Sequence, residues 1–128
     1  MLFNANIILE ILRSRFSKQI EDYLEQCIIG FDEYELLNFF AANLNAAVLI
    51  NVGEMEVEDF SVEGENGNQN VEGHFRIQVT IAGYEEREEK GRYILQEFSD
   101  AQLIIAFSFA ADQVSYSGLK LEYQYGFS

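Results

Sequence analysis

Apolar residues recur every four positions along the first part of the chain: Ile8, Leu12, Phe16, Ile20 and Leu24. This spacing places the side chains on one face of a helix, because a helix turns once in about 3.6 residues. Cys27 and Ile28 continue the stripe, and Gly30 follows it where a left-handed residue often closes a helix. The pattern predicts one amphipathic helix over about residues 4–29.

A second helix-start signal stands directly after this stripe. Asp32 is a good N-cap residue, and Glu35, three positions later, completes a capping box. The segment therefore predicts a helix over about residues 32–50. The helix would end earlier if Val48 to Val52 begins a strand instead, an alternative that the apolar pattern leaves open.

From Gly53 onward the apolar period changes to two, which is typical of half-buried strands. The predicted strands cover about residues 54–63, 71–83, 92–98, 102–110 and 114–127. The alternation breaks near Asp59 and again at Gly118, so we expect a bulge at the first and a change of face at the second. Residues 83–91 are predicted to form a hairpin tip, and Ser99-Asp100 a turn.

Helices followed by consecutive strands indicate an α+β fold. We expect one domain over residues 1–128, with two N-terminal helices on one face of a curved antiparallel meander of four to five strands. This layout resembles the helix-wrapped sheet of cystatin-like folds. The resemblance concerns layout alone, because the chain carries no cystatin sequence motif, and it implies no function.

Charge is distributed unevenly along the chain. Residues 19–75 contain thirteen carboxylates and no Lys or Arg, whereas the rest of the chain holds nine acids and eight bases. Almost all of the formal net charge of −14 therefore arises in one segment. Such acidity argues against nucleic acid or anionic lipid as a partner, and no apolar run is long enough for a membrane span. A basic protein is the partner that this charge favours.

The sequence offers little for catalysis or for a cofactor. His74 is the only histidine and Cys27 the only cysteine, which leaves no multi-histidine or cysteine-based metal site and no internal disulfide. The lone cysteine also favours a reducing cytoplasm. Nucleotide-binding glycine motifs and the calcium-loop spacing are absent. We expect a non-enzymatic protein with no cofactor; the acids around Glu56 leave an adventitious calcium site as a minor alternative.

The sharper functional hypothesis is a protein that binds a basic partner and blocks it, as immunity proteins and nucleic-acid mimics do. The predicted binding residues are carboxylates of two segments together with an aromatic anchor: Glu54, Glu56, Glu58, Asp59, Phe60 and Glu63, with Asp32, Glu33 and Glu35 as a secondary patch. This hypothesis requires the carboxylates to converge on one surface of the folded protein.

Two other interpretations stay open at this stage. The acidic residues could simply form a solubilising surface or a protected sheet edge. Alternatively, the protein could bind a small ligand in an apolar pocket between helix and sheet, or form a homodimer. The alternating apolar row from Leu119 to Phe127 would then be a dimer seam, although an ordinary core position suits that row better.

Overall fold

The computed structural model describes residues 2–87 and 92–128, and the side chains of residues 2–85 and 97–128. Its helices are α1 (Ala5–Arg15), α2 (Ser17–Ile29) and α3 (Glu33–Phe39). The first predicted helix is therefore divided at Phe16, whose backbone leaves helical geometry at φ −127° and ψ 12°. Phe16 is buried against Phe109, with 5.7 Å between ring centroids, so packing on the sheet accompanies the break. Both α1 and α2 contact the first strand.

The second predicted helix corresponds to α3 and is shorter than predicted. It ends at Phe39, Phe40 is already extended, and strand β1 begins at Ala46. Residues 46–50 pair with the second strand, as Leu49 does with Ile81, and this pairing outweighs the helical pattern. The alternative of a strand at Val48 to Val52 is the correct one.

Four antiparallel strands follow the helices: β1 (Ala46–Glu65), β2 (Asn68–Arg87), β3 (Arg92–Asp112) and β4 (Tyr116–Phe127). They lie in the order β1-β2-β3-β4, so the predicted α+β meander is confirmed in its four-stranded form. The turn predicted at Ser99-Asp100 is wrong, because β3 runs through it while pairing with β2. The Thr80 hydroxyl donates a 2.9 Å hydrogen bond to Asp100 across that pair. The predicted hairpin tip lies partly outside the described residues.

Bulges interrupt the strand pairing at three places in β1. One of them lies between Val57 and Asp59, as the broken alternation predicts. Gly73 lies opposite, and a Cβ there would overlap the carbonyl oxygen of Asp59. In β4, Gly118 adopts a positive φ of 67° beside another register shift, which confirms the expected change at that residue.

The largest fully buried side chains join helices to sheet: Phe75, Phe109, Ile8, Leu12, Leu24, Ile28, Ile77, Ile81, Leu103, Ile105 and Val71. They form one continuous cluster between α1, α2 and the sheet. We call this side of the sheet the covered face and the opposite side the open face. Within the described residues, none of the three helices has the length and apolarity required to cross a bilayer.

Candidate functional site

The open face carries the polar members of the alternating strands. On β2, His74 and Arg76 alternate with the buried residues Phe75 and Ile77 and therefore face the other way. Their partners on β1 are Asp59 and Glu56, so these acids share the open face. The open face thus collects most of the acids that the sequence marks as binding residues.

Six carboxylates form a band on this face along β1 and the adjoining part of β2, which we call the acidic strip: Glu54, Glu56, Glu58, Asp59, Glu63 and Glu72. The bulge after Val57 inserts Glu58 as an extra residue. This insertion brings Glu58 beside Arg76, where Nε of Arg76 lies 3.2 Å from Oε1 of Glu58. The bulge therefore concentrates charge where regular alternation would separate it.

Basic side chains compensate only part of the strip. Arg76 pairs with both Glu56 and Glu58, and Nδ1 of His74 lies 2.9 Å from Oδ1 of Asp59. Within the described part of the chain, no cation lies within ion-pair distance of the other three acids: Glu54, Glu63 and Glu72. The strip consequently keeps an excess of negative charge despite Arg76.

An exposed aromatic pair, Tyr125 and Phe127, lies on the same face at β4. Their rings stack with 6.4 Å between centroids, and 57% and 39% of their surfaces are exposed. The expectation that the whole row from Leu119 to Phe127 faces one side is wrong. A register shift at Gln124 places Tyr125 and Phe127 on the open face instead of the covered face. Leu119 is buried on the covered face.

A groove of about 540 Å³ joins the aromatic pair to the acidic strip. Its lining runs from β1 to β4 across the sheet: Glu58, Asp59, His74, Arg76, Ile104, Gln124, Tyr125 and Phe127. Carboxylates border one end of the groove and aromatic rings the other. This arrangement suits a ligand that is cationic at one point and apolar at another.

The sequence contains only a faint sign of the aromatic pair. Alternation in Leu119 to Phe127 is regular, so nothing in it marks the shift at Gln124. The one hint is Gly126 between two aromatic residues. In the structure a side chain at Gly126 would meet Phe39 and Leu103 on the covered face, which shows that Gly126 points inward and its neighbours outward.

The predicted secondary patch lies elsewhere. Asp32, Glu33 and Glu35 belong to the start of α3, and Phe39 of this helix packs over Leu103 on the covered face. The patch and the acidic strip are therefore on opposite faces of the sheet and form no single surface. Phe60, the predicted anchor, pairs with Gly73 and points toward the covered side, with 37% of its surface exposed.

Asp32 and Glu35 form a local unit. The backbone N–H of Glu35 donates a 3.0 Å hydrogen bond to Oδ1 of Asp32, which confirms the N-cap. A hydrogen bond between the two carboxyl groups raises the pKa of Glu35, with burial adding to the effect, and lowers the pKa of Asp32. The two shifts run in opposite directions, so a proton shared by this pair is held more tightly by Glu35 than by Asp32.

The remaining candidates for chemistry have ordinary surroundings. Burial raises the pKa of the Cys27 thiol to about 11, with Glu35 as a second cause, so the thiol is protonated at neutral pH. His74 lies on the open face beside Asp59. Among the described residues, no group of three or more His, Cys, Asp or Glu side chains is placed to hold a metal ion.

Comparisons with protein-family models, with curated proteins and with solved structures found no match.

Proposed function

We propose that this protein is a non-enzymatic binding protein whose open face captures a basic segment of another protein. The observation that carries the proposal is the groove that leads from the acidic strip to the exposed aromatic pair. The strip would attract the partner and meet its Lys or Arg side chains. Tyr125 and Phe127 would supply the apolar contact that charge alone does not provide.

The charge balance of the open face supports a cationic partner. Arg76 pairs with Glu56 and Glu58, and His74 contacts Asp59, whereas none of the cations in the described part of the chain lies within ion-pair distance of the other acids of the strip. Repulsion among uncompensated carboxylates disfavours the folded state, and a basic partner would relieve it. A second copy of this chain would add more negative charge to the same place, so a homodimer through this face is disfavoured.

The pocket between helices and sheet has less support. A cleft of about 190 Å³ opens at one side of that interface beside Leu24 and Met55, whereas fully buried side chains such as Phe75 fill the rest of the described interface. The open-face groove is the better candidate because exposed carboxylates and aromatic rings meet there.

Capture of this kind would block any activity that the partner's basic segment performs, as in immunity proteins and nucleic-acid mimics. The cytoplasm is the proposed compartment, on the ground of the single cysteine.

A displayed library of short random peptides, selected on the protein at low salt, tests the proposal. We expect the enriched peptides to combine Lys or Arg with an aromatic or aliphatic residue, and to dissociate as salt is raised. The triple variant Glu54→Gln, Glu63→Gln, Glu72→Gln should weaken their binding by about tenfold or more. These positions avoid the acids that pair with Arg76.

A matched control removes three charges from the helices instead: Glu10→Gln, Glu21→Gln and Glu25→Gln. These side chains are exposed on α1 and α2, so the total charge changes equally while the open face stays intact. The control should bind the selected peptides as the unmodified protein does. Equal loss in both triple variants, or no enrichment of basic peptides, would contradict the proposal.

A further inference from the structure

The fourth strand covers only part of the third. Pairing between β3 and β4 runs from Gln102, opposite Phe127, to Ala111, opposite Tyr116. Residues 97–101 of β3 pair with β2 on one side, from Gly83 to Val79, and no strand pairs with their other side in the described structure. Among the described residues, the outer side of this stretch is therefore unpaired; we call it the free edge, and it continues the line of β4.

The free edge differs from the edge formed by β1. Three register shifts interrupt β1 between Leu49 and Asp59, and bulges of this kind discourage another strand from adding to an edge. From Glu97 onward β3 pairs with β2 without any shift. Glu97 is also anchored, since its carboxylate accepts a 2.7 Å hydrogen bond from the Ala42 N–H. The edge of β3 is thus regular and lacks the bulges that interrupt β1.

Side chains beside the free edge define what would fit there. Phe98 shares the open face with Asp100, and 57% of the Phe98 surface is exposed. Phe127, at the end of β4, pairs with Gln102 and so lies next to the position opposite Asp100. In an added antiparallel strand, residues opposite Asp100 and Phe98 stand two positions apart on the open face. A basic residue suits the first position and an apolar residue the second.

We propose that an extended segment of the basic partner adds to the sheet along residues 97–101 of β3, continuing the line of β4, with a Lys or Arg opposite Asp100, next to Phe127, and an apolar side chain against Phe98. The basic character of the occupant rests on the proposed function, whereas the strand edge does not. A second copy of the chain is a poorer occupant, because each carries a formal net charge of −14. Main-chain hydrogen bonds would provide affinity and the alternating side chains specificity.

Backbone-methylated peptides test this mode of binding. The probe is a short synthetic peptide with capped ends in which Lys and Val stand two positions apart among Thr residues. Two isomers carry N-methyl groups on alternate residues, one set in each register. An added strand turns only one set of its N–H groups toward β3. One isomer should therefore bind about tenfold more weakly than the unmethylated peptide and the other almost unchanged.

The protein provides a second measurement with its own control. Phe98→Ala should weaken the peptide several-fold, whereas Phe60→Ala, an exposed aromatic residue on the β1 edge, should not. Amide hydrogen exchange should slow within residues 97–101 when the peptide binds. Equal binding or equal loss for the two isomers would overturn strand addition.

A neutral peptide with Gln in place of Lys separates the two proposals. Register-selective binding that Gln does not weaken would support strand addition and contradict a basic partner. Stronger binding of the Lys peptide without register selectivity would support the proposed function and overturn strand addition. Failure of all peptides to bind would contradict both.

Discussion

The covered and open faces belong to the same four strands but carry different side chains. Phe75 and Ile77 face the helices and are fully buried, while the alternating residues His74 and Arg76 face away and pair with acids of β1. Alternation along each strand produces this division. The covered face is filled by core packing, so the exposed polar side chains of these strands lie on the other face.

Truncating one aromatic residue on each face should give the largest difference in the free energy of unfolding. Phe109 is buried among Phe16, Phe107 and Tyr116, so Phe109→Ala should lower the free energy of unfolding by about 3–5 kcal/mol. Tyr125→Ala, on the open face, should cost less than about 1 kcal/mol. Urea denaturation measures both. Similar losses would show that Tyr125 belongs to the core.

The covered face could be predicted from sequence to a large extent. The helical stripe that includes Ile8 and Leu24 and the alternation along β2 each identify buried residues, because burial imposes a simple period on the chain. The errors lie where tertiary pairing overrides a local signal. Ser99-Asp100 has turn residues but lies within β3, since β2 provides partners for both.

The open face could be predicted only in part. Acids of β1 belong there because they alternate with Met55 and Val57. Their pairing with Arg76 and His74 depends on strand register, which a single sequence does not provide. The aromatic pair depends on a bulge at Gln124 that the regular alternation of this strand does not indicate. The secondary patch at Asp32 lies apart from the acidic strip because α3 packs on the covered face.

Gly73 connects the two faces, because the β1 bulge that presents Glu58 packs against it. A methyl group at this position would overlap the backbone of Asp59 and Phe60. Gly73→Ala should therefore lower the free energy of unfolding by about 1–3 kcal/mol and displace the acidic strip. At Gly118 a Cβ meets no atom within 4 Å, so Gly118→Ala tests the cost of its positive φ alone. An unchanged stability for Gly73→Ala would show that the backbone of the β1 bulge can move to make room for the methyl group.

Arg76 balances the acidic strip, and its removal should have a smaller effect. Its guanidinium pairs with Glu56 and Glu58, both of which are partly exposed. Because exposed ion pairs contribute little, Arg76→Gln should cost about 1 kcal/mol at low salt and less at high salt. Lys18→Gln, which removes the pair with Asp22 on α2, is a control with an expected cost of about 0.3–0.5 kcal/mol. If the stability costs of both substitutions were independent of salt concentration, the electrostatic explanation would be contradicted.

The smallest effect concerns the Asp32–Glu35 unit and depends on pH. Because folding raises the pKa of Glu35, its contribution is fully present below the ordinary value of 4.5 and is lost as pH rises through the folded value. The lowered pKa of Asp32 acts in the opposite sense, and its contribution is lost as pH falls through the folded value. At neutral pH the cost of ionising Glu35 should therefore reduce stability.

Glu35→Gln would remove that cost, because an amide can donate to Asp32 at any pH. Its thermal midpoint should exceed that of the unmodified protein at pH 7, and the difference should shrink as pH falls toward 4.5. Glu33→Gln, at an exposed position of the same helix, should show no such gain. A lower midpoint for Glu35→Gln at pH 7 would show instead that the Glu35 carboxylate stabilises the helix start, and the secondary patch would then be ionised and available to a basic partner.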